Sequence, residues 1–370
     1  MSIPSAKATS DNNSNTLALP QRTEPNRLTS VIVASIVVCA ISVSFALFSR
    51  GSIASLFRTA PSIVSATVVS SPLNTAATSV ATPVMTDSKF SDRTPVYFFS
   101  HGGPTFMYSD KDQENGGDLG AFNTLRRIGK EITEKVKPKA VVVFSAHWQS
   151  SRDTIEVNTA EKTDLIYDFY GFPSFMYEEK FPNVGSIHVA SKVIERLQAA
   201  GIKAKGVKRG LDHGVWVPFK VAFPDSNALK VPVVQVSLFK TEDPNQHIAL
   251  GKALASLRDE NILIIGSGMT VHNLREMGHY WGSVAPYAKK FDDMVEKALN
   301  GTGEDREKAL ASIIRTPEAN KSHPTKEHLL PVYIAAGAAY NEKGDLLYTN
   351  QISSLGWGEY RFGAVPVTGT

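Results

Sequence analysis

The sequence predicts an α/β domain over residues 93–370, with a mostly parallel central sheet covered by helices on both faces. Two observations predict it. Short β-branched runs alternate with stretches whose apolar residues recur at helical spacing. A chain of 370 residues, 42% of them apolar, also has enough apolar surface to bury the core that such a sheet needs. The strand candidates, in order, are Val96–Ser100, Ala140–Ser145, Ile155–Val157, Val233–Leu238 and Ile262–Ile265. Between them Leu119–Val136, Ile187–Ala200, Gln246–Arg258 and Ala288–Leu299 read as amphipathic helices, and "HPTKEHLLPVYIAAGAAY" (His323–Tyr340) as an apolar helix whose first turn Thr325 could cap.

The region before this domain has a different composition. Residues 1–27 read as a disordered arm. Leu28–Ser49 carries no charge and matches the ~20 residues with which a helix crosses a bilayer. It reads as a transmembrane or signal-anchor segment, with a cleaved targeting sequence as the competing reading. Basic residues flank it on both sides (Arg22 and Arg27, then Arg50 and Arg58), so charge gives no orientation and the side and organelle stay open. Residues 50–92, rich in Ser, Thr, Ala, Val and Pro from Thr59 onward, read as a flexible linker.

Charge and cysteine content exclude several chemistries. Residues 1–90 hold six basic and three acidic side chains, which leaves 33 of each sign for the remainder. An electroneutral body offers no phosphate-tracking face, so nucleic acid is not an expected partner. The single cysteine, Cys39, rules out an internal disulfide framework and a Cys-based zinc site, so any metal here must be held by imidazole or carboxylate. There is no P-loop and no G-x-G-x-x-G pattern, so no nucleotide cofactor is expected. Nothing in the sequence sets the oligomeric state.

The histidines carry the functional signal. His101 follows "PVYFFS", His147 follows "VVVFSA", and His272 lies a few residues after "ILIIGSG". The carboxyl ends of parallel strands form the rim where α/β proteins bind ligands, so three imidazoles are expected on one rim. Any one of them could be an ordinary hydrogen-bonding residue, but three such placements argue for a shared site. "SHGGP", "DHG" and "GSGMTVHN" each join a histidine to glycine, which permits sharp turns and close approach. His188, His247 and His279 read as surface residues, and His323 next to them.

Taken in order, "SHGGP", "FSAHW", "LDHGVWVPF", "GSGMTVHNL" and "PTKEHLLPVY" resemble the LigB-type class III extradiol ring-cleaving dioxygenases. The match is best to the DOPA 4,5-dioxygenase branch, which also carries a stretch similar to "YDFYGFPSFMY" (Tyr167–Tyr177). The resemblance runs from about Thr94 to the C-terminus and implies a LigB-like fold. It also implies a non-haem metal held by His101, His147 and His328, with His272 as acid/base or as a further ligand and His213 near the substrate. The substrates implied are a catechol-type, DOPA-like aromatic and O2. His328 rather than the adjacent Glu327 is expected as the third ligand. Open coordination positions favour Fe(2+) for activity, although Zn(2+) can occupy the same imidazoles because it stands higher in the affinity series. Trp148, Phe172, Tyr177 and Trp216 are candidates for stacking on the aromatic ring. The alternatives are a zinc-dependent hydrolase using the same histidines and a non-catalytic, membrane-tethered relative.

Overall fold

The computed structural model describes residues 93–108 and 117–366. The expected arm, membrane segment and linker lie outside these residues. Among the described residues no helix is long and apolar enough to cross a membrane.

The elements follow in chain order as β1 (Val96–Ser100), α1 (Leu119–Glu131), β2 (Ala140–Gln149), β3 (Thr154–Asn158), α2 (Ile187–Ala199), β4 (Lys203–Val207), α3 (His213–Ala222), β5 (Val233–Leu238), α4 (Pro244–Leu254) and β6 (Ile262–Gly268). The C-terminal part contains β7 (Val271–His272), α5 (Pro286–Leu299), α6 (Gly303–Ile313), α7 (Pro317–Ser322), α8 (Leu330–Ala338), β8 (Gly344–Tyr348), β9 (Gln351–Ile352), β10 (Leu355–Gly356) and β11 (Glu359–Phe362). Helix starts follow local chemistry. Asp118 accepts from the Ala121 amide and Ser186 from Val189, while Pro244 and Pro317 occupy the first turn, where a missing N–H costs nothing.

Eight strands form one sheet in the order β4-β3-β5-β2-β6-β1-β11-β8. The expected parallel arrangement holds for the centre, where β5, β2, β6 and β1 run the same way. The antiparallel pairs lie toward the flanks, β3 with β5 and β11 with both β1 and β8, while the edge strand β4 is parallel to β3. Connection length accounts for the difference. A parallel return needs a crossover of a dozen or more residues, whereas β2 and β3 are joined by 150–153 alone and the strands from β8 to β11 by tight turns.

Alternation along the central strands divides the core in two. Val142, Phe144, Ile262 and Ile264 face α2, α4, α5 and α8, whereas Val141, Val143, Leu263 and Ile265 face α1 and α3. All eight are buried, and each contributes about 1.5–3 kcal/mol of apolar burial. The sheet therefore resists shifts in register, because a one-residue slip would exchange its two faces.

Several local expectations are corrected. The last apolar helix begins at Leu330 instead of His323, and the Thr325 hydroxyl donates to Glu327 Oε1 rather than capping the helix. His247 and His323 are fully buried, unlike the exposed His188 and His279. Their imidazoles bond backbone carbonyls, His247 Nδ1 that of Asp243 within the first turn of α4, and His323 Nε2 that of the distant Thr270. Burial pushes them down to about 4 and about 3, so both are neutral.

Candidate active site

The carboxyl ends of β1, β2 and β6 lie side by side, and the site is built on that rim. His101 immediately follows β1, and its amide donates to the Gly268 carbonyl at 3.0 Å, extending the β1/β6 ladder by one residue. His147 lies within the last turnings of β2. His328 comes from the segment before α8, docked on the end of β6 by a 2.8 Å bond from the Met269 amide to its carbonyl. That docking requires glycine at 268, since a Cβ there would overlap the His328 carbonyl. Gly214 at the start of α3 is needed for a similar reason, a Cβ being driven into the Ser145 hydroxyl and the His147 ring.

Three imidazoles converge. Nε2 of His147 lies 3.2 Å from Nε2 of His101 and 3.2 Å from Nε2 of His328. His101 is 1% exposed and His328 5%. The oxygen beside the far nitrogen of each ring favours the tautomer with its proton on Nδ1. His328 Nδ1 is 3.0 Å from Glu327 Oε1 and His147 Nδ1 is 3.3 Å from Asp168 Oδ2, both carboxylates that only accept when ionised.

His101 is oriented through a longer chain of cause. Pro218 within α3 has no N–H, which leaves the Gly214 carbonyl four residues earlier without its helical donor. The Ser267 hydroxyl donates to that carbonyl. Its oxygen is then free to accept from His101 Nδ1 at 3.1 Å. With the proton of each ring on Nδ1, the Nε2 lone pairs of His101 and His328 both face that of His147.

Lone pairs facing each other repel unless a cation sits between them. The 3.2 Å separations fall within the ~4 Å that two nitrogens can share around an ion bound at about 2.0–2.1 Å from each. The donor set therefore fits a divalent metal. Burial, reinforced by the neighbouring imidazoles, holds His101 and His328 well below the ordinary histidine range, keeping them in the neutral form that ligates metals.

His272 and His213 flank the trio. His272 lies on β7, which pairs with β10 in a separate three-stranded sheet, with Leu355 opposite it. Its ring is stacked on His328, 3.5 Å between centroids and 12° from parallel. Imidazole lone pairs lie in the ring plane, so two stacked rings cannot both direct theirs at one ion. This geometry argues against the expectation of His272 as a further ligand alongside His328, even though ligand atoms of His272, Glu327 and His328 lie within 4.8 Å of one another. Desolvation, then repulsion from His323, His147 and His213, push His272 well below the usual range, leaving it neutral. His213 opens α3 with its ring 3.9 Å from that of His147, and its ligand atom falls within 4.8 Å of those of His101 and His147. Burial lowers its pKa more than Asp168 raises it.

A family model for the catalytic LigB subunit of aromatic ring-opening dioxygenases matches residues 95–362. The chain belongs to the LigB family. A 4,5-DOPA dioxygenase extradiol of Beta vulgaris is 36% identical over 271 residues, covering 72% of this chain and 95% of that protein. A 4,5-DOPA dioxygenase extradiol-like protein of Schizosaccharomyces pombe is 36% identical over 264 residues, covering 68% of this chain and 87% of its own length. The crystal structure of an uncharacterized protein from Escherichia coli K12 superposes with a TM-score of 0.58 at 28% identity, covering 73% of this chain and all of that one. LigB membership makes the chain an extradiol ring-cleaving dioxygenase.

Within this LigB domain the five expected histidines lie together at one rim, and Glu327 sits behind His328 as its hydrogen-bond acceptor. Of the four aromatic candidates, Trp216 is fully buried and donates Nε1 to the Ile166 carbonyl, and Trp148 lies under the Arg209 guanidinium. Phe172 and Tyr177 instead surround Phe169, whose ring meets His213 edge-on at 5.8 Å. Phe169, Ser267 and Asp168 are contributors that residue-type reasoning missed. Ser267 and Asp168 carry no individual signal, although Asp168 and Phe169 lie within the quoted "YDFYGFPSFMY".

Proposed function

We propose that this LigB-family enzyme opens the ring of a DOPA-like catechol, with a metal held by His101, His147 and His328. The observation that carries this reading is that Nε2 of His147 lies 3.2 Å from Nε2 of both His101 and His328, with an acceptor beside Nδ1 of each ring. When bound there, ferrous iron would supply Lewis acidity and open positions for a catechol and O2; zinc competes for the same imidazoles.

The protein's own groups supply the acid–base chemistry. His272, neutral and beside the trio, accepts a proton from a catechol hydroxyl and returns it later in the reaction. His213 gives its Nδ1–H to Asp168 at 2.9 Å, so its Nε2 is left as an acceptor for a substrate hydroxyl. Phe169, with Phe172 and Tyr177 packed around it, forms an apolar wall next to His213 that suits a flat aromatic ring and limits water. The relatives named for 4,5-DOPA support this substrate class.

Oxygen uptake tests the reading. After anaerobic loading with Fe(II), DOPA and protocatechuate are offered in parallel, and DOPA-dependent O2 consumption with a ring-opened product is expected. Activity restored by zinc without O2 would replace this reading with the hydrolase. His272→Ala should lower turnover by at least about 100-fold while metal content is retained, and survival of activity within about tenfold would remove His272 as the base.

A further inference from the structure

We propose that Asp168 is a positioning residue that fixes the tautomers of two site histidines at once, the ligand His147 and the substrate-side His213. The inference deepens the metal-site reading above and rests on it. One oxygen of the carboxylate, Oδ2, lies 3.3 Å from His147 Nδ1. The other, Oδ1, accepts from His213 Nδ1 at 2.9 Å and from the His213 amide at 3.0 Å. An acidic residue on a surface loop commonly makes a single exchangeable ion pair. Asp168 differs because three donors from two chain segments converge on its two oxygens.

The loop is built to hold the carboxylate in place. Before it, the Ile166 amide bonds the Leu211 carbonyl at 2.7 Å, and the Ile166 carbonyl accepts from the buried Trp216 indole at 3.0 Å. After it, the Phe169 carbonyl accepts from the Tyr177 hydroxyl at 3.2 Å, and the Phe169 ring is buried against Trp216 and Tyr177. Tyr167 donates its hydroxyl to the Glu179 carbonyl at 2.7 Å. The backbone is thus pinned on both sides of Asp168.

The consequence is specific. A carboxylate can accept from both imidazoles, so both keep the proton on Nδ1 and both present Nε2 to the site. An amide cannot do this. In Asp168→Asn the carbonyl oxygen stays with the two donors of His213, and the NH2 turns to His147. That ring must then accept at Nδ1 and carry its proton on Nε2, the atom needed by the metal. Partners of this kind commonly carry about 10–100-fold in metal affinity.

The test uses the full chain and Co(II) as the probe, with affinity measured by chelator competition and tautomers read from 15N-labelled histidine by NMR. In the metal-free wild type, His147 and His213 should both be Nδ1–H. Asp168→Asn should convert His147 to Nε2–H and weaken Co(II) binding about 10–100-fold. The Nε2–H form at either ring in the wild type, or Co(II) affinity within about threefold in a folded Asp168→Asn, would overturn the proposal. Should the variant fail to fold, the wild-type tautomers alone decide, in either direction. Wild-type protein that binds no Co(II) yet shows both Nδ1–H tautomers would support the positioning role and sink the metal-site reading, so the two failures are distinguishable.

Discussion

His101 and His328 reach the same point from opposite kinds of surroundings. His101 is held by a neutral hydroxyl inside the core, itself committed to a helix carbonyl that Pro218 leaves open. His328 is held by the carboxylate of Glu327, which is partly exposed and also accepts from Thr325. A neutral acceptor can fix a tautomer and little more. A charged one also raises the basicity of the imidazole and partly offsets the positive charge of a bound ion. The trio thus has a stiff, electrically passive corner and a polar, electrically active one.

The largest expected effects fall on the proposed ligands themselves and should be equal at the two corners. His101→Ala and His328→Ala should each weaken Co(II) binding by more than the about 10–100-fold typical of orienting partners. Chelator competition checks this, and near-wild-type affinity in either variant would break the shared site. Next comes Glu327→Gln, expected to weaken Co(II) binding within that range, because the charge is lost while the amide oxygen can still accept from His328 Nδ1. Ser267→Ala should cost about tenfold or less by the same titration, since burial still restrains His101. If Ser267→Ala costs more than Glu327→Gln, the contrast between passive and active corners is wrong.

The smallest effect is common to both corners. His101 and His328 are held well below their unfolded value of about 6.5, as is His272, so the unfolded chain binds more protons in acid than the folded one. Stability from these groups is fully present above that value and falls as the pH is lowered through it. The thermal midpoint of the metal-free protein should therefore drop between pH 7.5 and pH 5, measured by circular dichroism. Replacing either histidine by Asn should flatten that dependence by a similar amount.

The parts of the molecule that could be read from sequence are those governed by periodicity. Val96–Ser100 and Val233–Leu238 are bounded as expected because each is a short, largely apolar run buried along its whole length. The short strands from β7 to β11 were not foreseen, since two to five residues carry too little pattern and their pairing is set by turns and neighbours. At the site, strand ends point to His101, His147 and His272 and a neighbouring glycine to His213, whereas His328 is singled out only by the family resemblance. The groups that aim them were hidden, because the role of Ser267 depends on a proline 49 residues away, and that of Asp168 on two histidines from other elements.

The separate sheet that carries His272 has a consequence for how such an enzyme can change. The imidazoles proposed to hold an ion belong to the main sheet and the segment before α8, whereas the proposed proton carrier sits on a two-residue strand paired with β10. Substitutions in that C-terminal ribbon would therefore reach the proposed acid–base group without passing through the strands that carry His101 and His147.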